Sequence, residues 1–561
     1  MRDLLNRLNI TGFDAERYID RHSSNVSALP NIGIAMSGGG WRALMNGAGA
    51  IKAFDSRTQG NTAEGHLGGL LQSTTYLAGL SGGSWLVGSL FMNNWTTVGA
   101  LQADNTSSVW EFGNSVIRGP EEGGIQIFNT AEYYGNLYED VSGKEDAGFD
   151  ISLTDIWGRG LSYQLINASD GGPAYTWSSI GLSQGFQNAN TPFPVIIADA
   201  RAPGETLIPS NTSVYEFNPY EMGTWDPTAF GFVPTRYLGT NWTAGEVAPR
   251  DQCVRGFDNA GFLMGTSSSL FNQFLLQLNG TNIPSTLQNI FTRILTSLSV
   301  DNNDIADYTP NPFYHYNRAS NPSANSTRLT LVDGGEDLQN IPFHPLIQPT
   351  RNVDVIFAID SSADTSYSWP NGTAIIATYQ RSLSRMSNGT AFPAVPDSNT
   401  FVNLGLNTRP TFFGCNSSNF TDATTTPPLV VYIPNSPYVT YSNISTFQLS
   451  TNNTMRDAII LNGLDVASMG NGTVDEMWPT CVACAILSRS FERTGTDVPA
   501  ACTRCFDRFC WDGTVNSTKP SSPYEPEPRL DVVDVQGRGV SRSIPRWAAG
   551  VAAATLGYLS V

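Results

Sequence analysis

The amino-acid sequence predicts an α/β fold: a central, mostly parallel sheet flanked by helices, with a nucleophile-elbow type of turn, a helical cap hairpin and loop-rich insertions. Two observations support it. Short apolar runs are followed by glycine turns and then by helical patterns, a unit that occurs twice in the first 100 residues. Further apolar runs recur downstream, and strands alternating with helices build a sheet covered by helical layers. Residues 32–36 (Ile-Gly-Ile-Ala-Met) read as a strand buried on both faces, because no charged side chain interrupts them. Residues 41–54 read as the helix behind it. Residues 75–80 and 85–92 repeat the pair. Residues 195–198, 329–332 and 353–359 read as later buried strands. No period of 20–50 residues repeats, which excludes a solenoid or propeller.

Composition narrows the function. The chain has 561 residues and a formal charge of −18, and 14% of its residues are charged, against about 25% in typical soluble domains. So acidic a chain lacks the basic face that nucleic acid requires. A hydrophobic fraction of 40% with 11% aromatic residues excludes disorder. No run of about 18 apolar residues marks a membrane-spanning helix. Seventeen Asn-x-Ser/Thr sequons, Asn9, Asn94, Asn167, Asn279, Asn388, Asn416, Asn419 and Asn516 among them, are about twice the chance number. Sugars on them would stand in for the missing surface charge and imply export.

The seven cysteines leave two readings. Cys481-x2-Cys484 and Cys502-x2-Cys505 fit a four-cysteine zinc site. Beside so many sequons, disulfides are the favoured reading. The first residues carry no secretory signal, so an exported protein is expected to begin upstream of this sequence. Residues 1–515 read as one globular region, with a cap or insertions near 265–300 and 365–455. Residues 516–546 read as a Pro- and Ser-containing linker. Residues 547–561 form an apolar tail that fits either a glycolipid-anchor signal or an ordinary terminal helix.

Three segments can hold a reaction centre. Gly79-Leu-Ser81-Gly-Gly83 places a glycine-flanked serine between a strand and a helix, the sharp turn that exposes a nucleophile at a sheet edge. Ser84 is a rival without glycines at the matching offsets. Ser37-Gly38-Gly39-Gly40-Trp41-Arg42 leaves backbone amides unobstructed at a helix start, which suits an oxyanion. It lacks the Gly-Lys-Ser/Thr of a phosphate loop, and Gly47-Ala-Gly49 is not followed by the third glycine of a dinucleotide fingerprint. Arg42 would bind a phosphate, steady the developing anion, or form a structural ion pair. Asp333, before Gly334 and Gly335, ends a strand at the edge where catalytic groups of α/β sheets cluster, and by itself reads equally as a turn residue or a metal ligand. Of the four histidines, only His344 follows Asp333 in the order of a Ser-Asp-His triad. A serine–aspartate dyad is the alternative, with burial raising the carboxyl pKa toward that of a useful base.

Together, Ser37-Gly-Gly-Gly-Trp-Arg42, Gly79-Leu-Ser-Gly-Gly-Ser-Trp85 and Asp333-Gly-Gly-Glu-Asp337 resemble the fungal lysophospholipases, or phospholipases B. Their catalytic region is similar to cytosolic phospholipase A2. Tyr215 to Pro227 and Gly265-Thr-Ser-Ser-Ser-Leu-Phe-Asn272 share the family's look. The resemblance implies Ser81 as nucleophile, Asp333 as its proton acceptor, Gly39 and Gly40 as oxyanion-hole glycines with Gly38 adjoining, and Arg42 near the phosphate or transition state. It implies release of fatty acid from lysophospholipids, and from diacyl phospholipids, through an acyl-serine at a lipid interface. The protein is expected to be secreted or cell-surface, glycosylated, and without an obligate protein partner. No cofactor or metal is expected, because Asp301-Asn-Asn-Asp304 lacks the glycine and distal glutamate of an EF-hand. The hairpin at 270–298 would either pack as core or shelter the acyl chain. A triad esterase using His344 and a non-catalytic lipid-binding glycoprotein are the rivals. The acidic charge should repel anionic lipid at neutral pH, which favours an acidic optimum.

Overall fold

A computed structural model describes residues 1–533, apart from 104–108, 114–115, 117–125, 204, 206, 250, 270–305, 421–425 and 449. The strands in chain order are β1 (Ile32–Met36), β2 (Tyr76–Gly79), β3 (Phe193–Arg201), β4 (Val214–Phe217), β5 (Glu221–Thr224) and β6 (Gly231–Pro234). A two-stranded hairpin follows, β7 (Trp242–Thr243) and β8 (Glu246–Val247). Then come β9 (Ala306–Tyr308), β10 (Leu329–Asp333), β11 (Val355–Asp360), β12 (Thr411–Phe413) and β13 (Leu429–Pro434). The main sheet runs β12-β13-β11-β1-β2-β3-β4-β5-β6. Its middle, β13-β11-β1-β2-β3, is parallel. Antiparallel β12 closes one edge, and β4, β5 and β6 form a meander at the other.

The middle strands are apolar almost throughout because both faces are covered. Ile34, Leu77, Ile196, Phe357 and Val431 face one core, shared with the helices Gly40–Phe54, Gly82–Met92, Asn453–Ser468 and Trp478–Thr494. Ala35, Ala78, Val195, Ile197, Ala358 and Val430 face the other, shared with Phe343, Leu346, Ile375 and Phe401. The alternation is the two-residue period of a strand. Each large side chain so buried contributes about 1.5–3 kcal/mol.

Residues 365–455 do more than decorate this core. They supply β12, β13, and the helices Thr373–Ser382 and Ser398–Asn403 whose Ile375 and Phe401 fill the second face. Their Asn-, Ser- and Thr-rich composition hides short apolar clusters, because the loops between the clusters dominate the count. The linker is also less free than its prolines suggest. Asn403 donates to the carbonyls of Asn516 and Thr518, and the amides of Leu530 and Val533 donate to Tyr438 and Val439, so the described part of 516–546 lies along the body. The expected hairpin at 270–298, the Asp301–Asp304 segment and the tail at 547–561 lie outside the described residues.

The cysteines pair as Cys481–Cys505, Cys484–Cys502 and Cys415–Cys510, and Cys253 is free and exposed. The first two bonds staple the helix Trp478–Thr494 to Ala500–Phe509. The zinc reading therefore gives way to disulfides: the i, i+3 spacing puts each cysteine pair on one helix face, opposite the other pair.

Candidate active site

Topology brings the three motifs together. On one edge of β3, β2 runs parallel and ends with Gly79 opposite Ile196. On the same edge β10 runs antiparallel and ends with Asp333 opposite Ala198. The two strands meet end to end, so Leu80-Ser81 and Asp333-Gly334 leave the sheet two β3 residues apart. Met36 of β1 lies beside Gly79, which starts the Ser37–Gly40 turn at the same edge.

Ser81 is the residue before the helix Gly82–Met92 and is 1% exposed. Its φ of 49° and ψ of −124° are strained for a residue with a side chain. The strain is held by a forked bond, in which the Ser81 amide donates to the Ser267 carbonyl (2.9 Å) and the Ser267 Oγ (3.1 Å). The turns at Gly40 and Gly82 touch backbone to backbone. A Cβ on Gly82 would strike the Gly40 carbonyl, and one on Gly40 would lie 2.5 Å from the Thr446 carbonyl. Only glycine permits this approach.

The amides divide unevenly. Gly38 donates to the Asn340 carbonyl at 3.0 Å, so its N–H is already spent. The expectation that Gly38 joins Gly39 and Gly40 in holding an oxyanion is not met in that geometry. Among the described residues the amides of Gly39, Gly40 and Gly82 find no acceptor. Gly82 was not among the expected donors, although its place after the serine is the known position for one. Asn340 was also missed. Its amide nitrogen donates to Gly38 O and Ser362 Oγ, which fixes the glycine loop to the segment after Asp333.

Asp333 is 2% exposed. Its Oδ1 accepts the Gly335 amide at 2.9 Å, and its Oδ2 is buried without a hydrogen-bond partner. Burial pushes its carboxyl up to about 7; the Gly335 amide and the Ser81 hydroxyl pull it back. Ser81 thus faces the carboxylate closely enough to act on its charge, without a closed hydrogen bond at Oδ2. The following loop is clamped by the Asp337 amide, which donates to Asp199 Oδ2 at 3.0 Å.

Arg42 is wholly buried. Nε donates to Ser361 O (2.7 Å), Nη1 to Ile444 O (2.6 Å) and Nη2 to Thr446 Oγ1 (2.9 Å). Burial lowers its pKa to about 10 against the pull of Asp364 and Asp360. It holds the Gly39–Gly40 turn against two other loops, so the structure places it as a brace under the glycines. His344 lies elsewhere: its Nε2 sits 3.0 Å from Asp226 Oδ1, and Arg381 pairs with the other oxygen of Asp226 at 2.7 Å. Ser84 donates its hydroxyl to Ser81 O at 2.7 Å and is therefore bound within its own turn. Among the described residues no group of three His, Cys, Asp or Glu is arranged to hold a metal ion.

Fold and site together are those of an α/β hydrolytic enzyme, a carboxylic-ester hydrolase. The chain belongs to the family of lysophospholipase catalytic domains, whose model matches residues 32–516. It is similar to lysophospholipase 1 of Aspergillus fumigatus, 62% identical over 553 residues that cover 98% of this chain and 86% of that protein. It is also similar to a lysophospholipase of Penicillium chrysogenum, 60% identical over 561 residues covering 100% and 90%. Among solved structures, human GIVD cytosolic phospholipase A2 shares the fold with a TM-score of 0.58 at 16% identity, covering 87% of this chain and 63% of that one.

Proposed function

We propose that the protein hydrolyses the fatty-acyl ester of lysophospholipids, and of diacyl phospholipids, through a Ser81–Asp333 dyad. The observation that carries the mechanism is Asp333 Oδ2, a buried carboxylate oxygen without a partner in a carboxyl that responds to the Ser81 hydroxyl. Ser81 Oγ attacks the ester carbonyl while Asp333 accepts its proton and then returns it to the glycerol oxygen. The carbonyl oxygen turns toward the unspent amides of Gly39, Gly40 and Gly82, which cost no reorganisation as charge develops. Water repeats the cycle on the acyl-serine. Arg42 acts through the loop it braces. Calcium has no role in this scheme, and a chelator should leave turnover unchanged. His344 is held by Asp226, which supports the dyad over the triad reading.

The protein is also read as exported and glycosylated. None of the described sequon asparagines is buried, whereas Asn46, Asn218, Asn407, Asn462 and four others that are buried all lie outside usable sequons. Three disulfides fit an oxidising compartment. The decisive experiment combines fatty-acid release from lysophosphatidylcholine with intact-mass labelling by a fluorophosphonate. Wild type should label once, at Ser81, and Ser81→Ala should neither label nor turn over. Turnover by Ser81→Ala would sink the proposal.

A further inference from the structure

The Gly265–Ser269 segment has no place in the mechanism so far, yet one of its residues bonds both to Ser81 and to Gly334, the residue after Asp333. Ser267 closes the helix Ala260–Thr266 and is fully buried. Its carbonyl accepts the Ser81 amide at 2.9 Å and the Gly334 amide at 3.4 Å. Its hydroxyl donates to Ile197 O at 2.6 Å and accepts the Ser81 amide at 3.1 Å. Ile197 is the β3 residue between the two strand ends, opposite neither Gly79 nor Asp333. Ser267 thus fills the junction where β2 and β10 meet, and bonds to the residue that begins each turn.

We infer that Ser267 is a positioning residue that sets the separation of Ser81 Oγ and Asp333 Oδ2. The inference rests on the dyad reading. The backbone of Ser81 is strained; the helix holds its carbonyl through Ser84 and Trp85, but its amide, like the first amides of any helix, has no intrahelical acceptor. The forked bond from Ser267 supplies that restraint, and the same carbonyl holds Gly334. Its two neighbours differ. Ser268 donates to Met264 O and accepts from Trp157 Nε1, and Ser269 donates to Thr266 O, so neither bonds to Ser81 or Gly334.

The test measures kcat, KM, fluorophosphonate labelling rate and the pH profile of Ser267→Ala, Ser267→Cys and Ser269→Ala, with Asp333→Asn alongside. Ser267→Ala should lower kcat about tenfold, with KM within twofold. Labelling should slow by the same factor. The rate profile should move to higher pH, because a displaced Ser81 hydroxyl no longer lowers the Asp333 pKa. Ser267→Cys keeps the shape with a weaker acceptor and should behave alike at unchanged Tm, which preserves the test if the alanine variant does not fold. Ser269→Ala should match wild type. Wild-type kcat and labelling in a folded Ser267 variant would overturn the inference, as would an equal loss in Ser269→Ala. An active Asp333→Asn would instead remove the dyad reading beneath it.

Discussion

Two buried carboxylates of this protein have opposite fates. Asp226, on the β5–β6 connection, receives His344, Arg381 and the Val214 amide. Burial alone would raise its pKa, but these partners bring it down to about 2. Asp333 has one amide on Oδ1, nothing on Oδ2, and a pKa pushed up to about 7. The first is a carboxylate whose charge is fully answered, and it holds structure. The second has an oxygen left unanswered, which suits it to the base's part in the proposed dyad. Burial is common to both, so the partners decide the role.

The largest expected difference comes from Asp333→Asn. Removing the proposed base should cost about 100- to 10,000-fold in kcat. At the same time the variant should be more stable than wild type at pH 8, by up to about 4 kcal/mol for a shift of this size. The sign follows from the raised folded pKa. The penalty for charging Asp333 is absent below about pH 4, grows as pH rises, and is complete above about 7. Thermal unfolding at pH 4 and pH 8 checks it, and equal Tm differences at both would break the comparison.

Asp226→Ala should do the reverse. It leaves Arg381 and His344 facing an empty buried site, which costs about 3–5 kcal/mol. Labelling of the folded fraction should stay near the wild-type rate. In wild type, the Asp226 contribution is present above about pH 4 and is lost as pH falls toward 2.

The pH profile sharpens the contrast further. On a soluble monomeric ester, kcat/KM should rise with an apparent pKa about 7, the free-enzyme value of the base. His344→Ala should leave that pKa in place. On anionic vesicles the −18 charge adds repulsion that grows with pH, so the optimum should lie lower than on the monomeric ester. A profile flat from pH 5 to 8 on the soluble ester would argue against Asp333 as base. The smallest effect on stability belongs to Ser81→Gly, which relieves the positive φ and should raise stability by about 1 kcal/mol while abolishing labelling.

Much of this was legible in the sequence. The parallel strands announce themselves because a strand covered on both faces has no polar alternation, and each nearby turn carries its glycines. Ser81, Asp333, Gly39 and Gly40 could be named as candidates because each sits at or just after the end of an apolar strand. What was not legible depends on distant chain. The Gly38 amide is spent on Asn340, 302 residues away. His344 fits a triad by order alone, and its partner Asp226 lies 118 residues earlier. Arg42 reads as a charge near a phosphate site, yet its acceptors come from Ser361, Ile444 and Thr446, which no local pattern reveals. β13 was hidden in a polar stretch because five consecutive apolar residues carry little weight in ninety.

The strand order also governs how the chain must be made. β1 sits in mid-sheet between β2 and β11, and its β11 partner begins at Val355. At about 5–20 residues per second, roughly 15–60 s separate the synthesis of Met36 from that of Ile359. For that interval the growing chain carries an open apolar strand edge in its most buried layer, the kind of edge that recruits other chains. A nascent protein with this topology depends on being shielded until the late strands emerge.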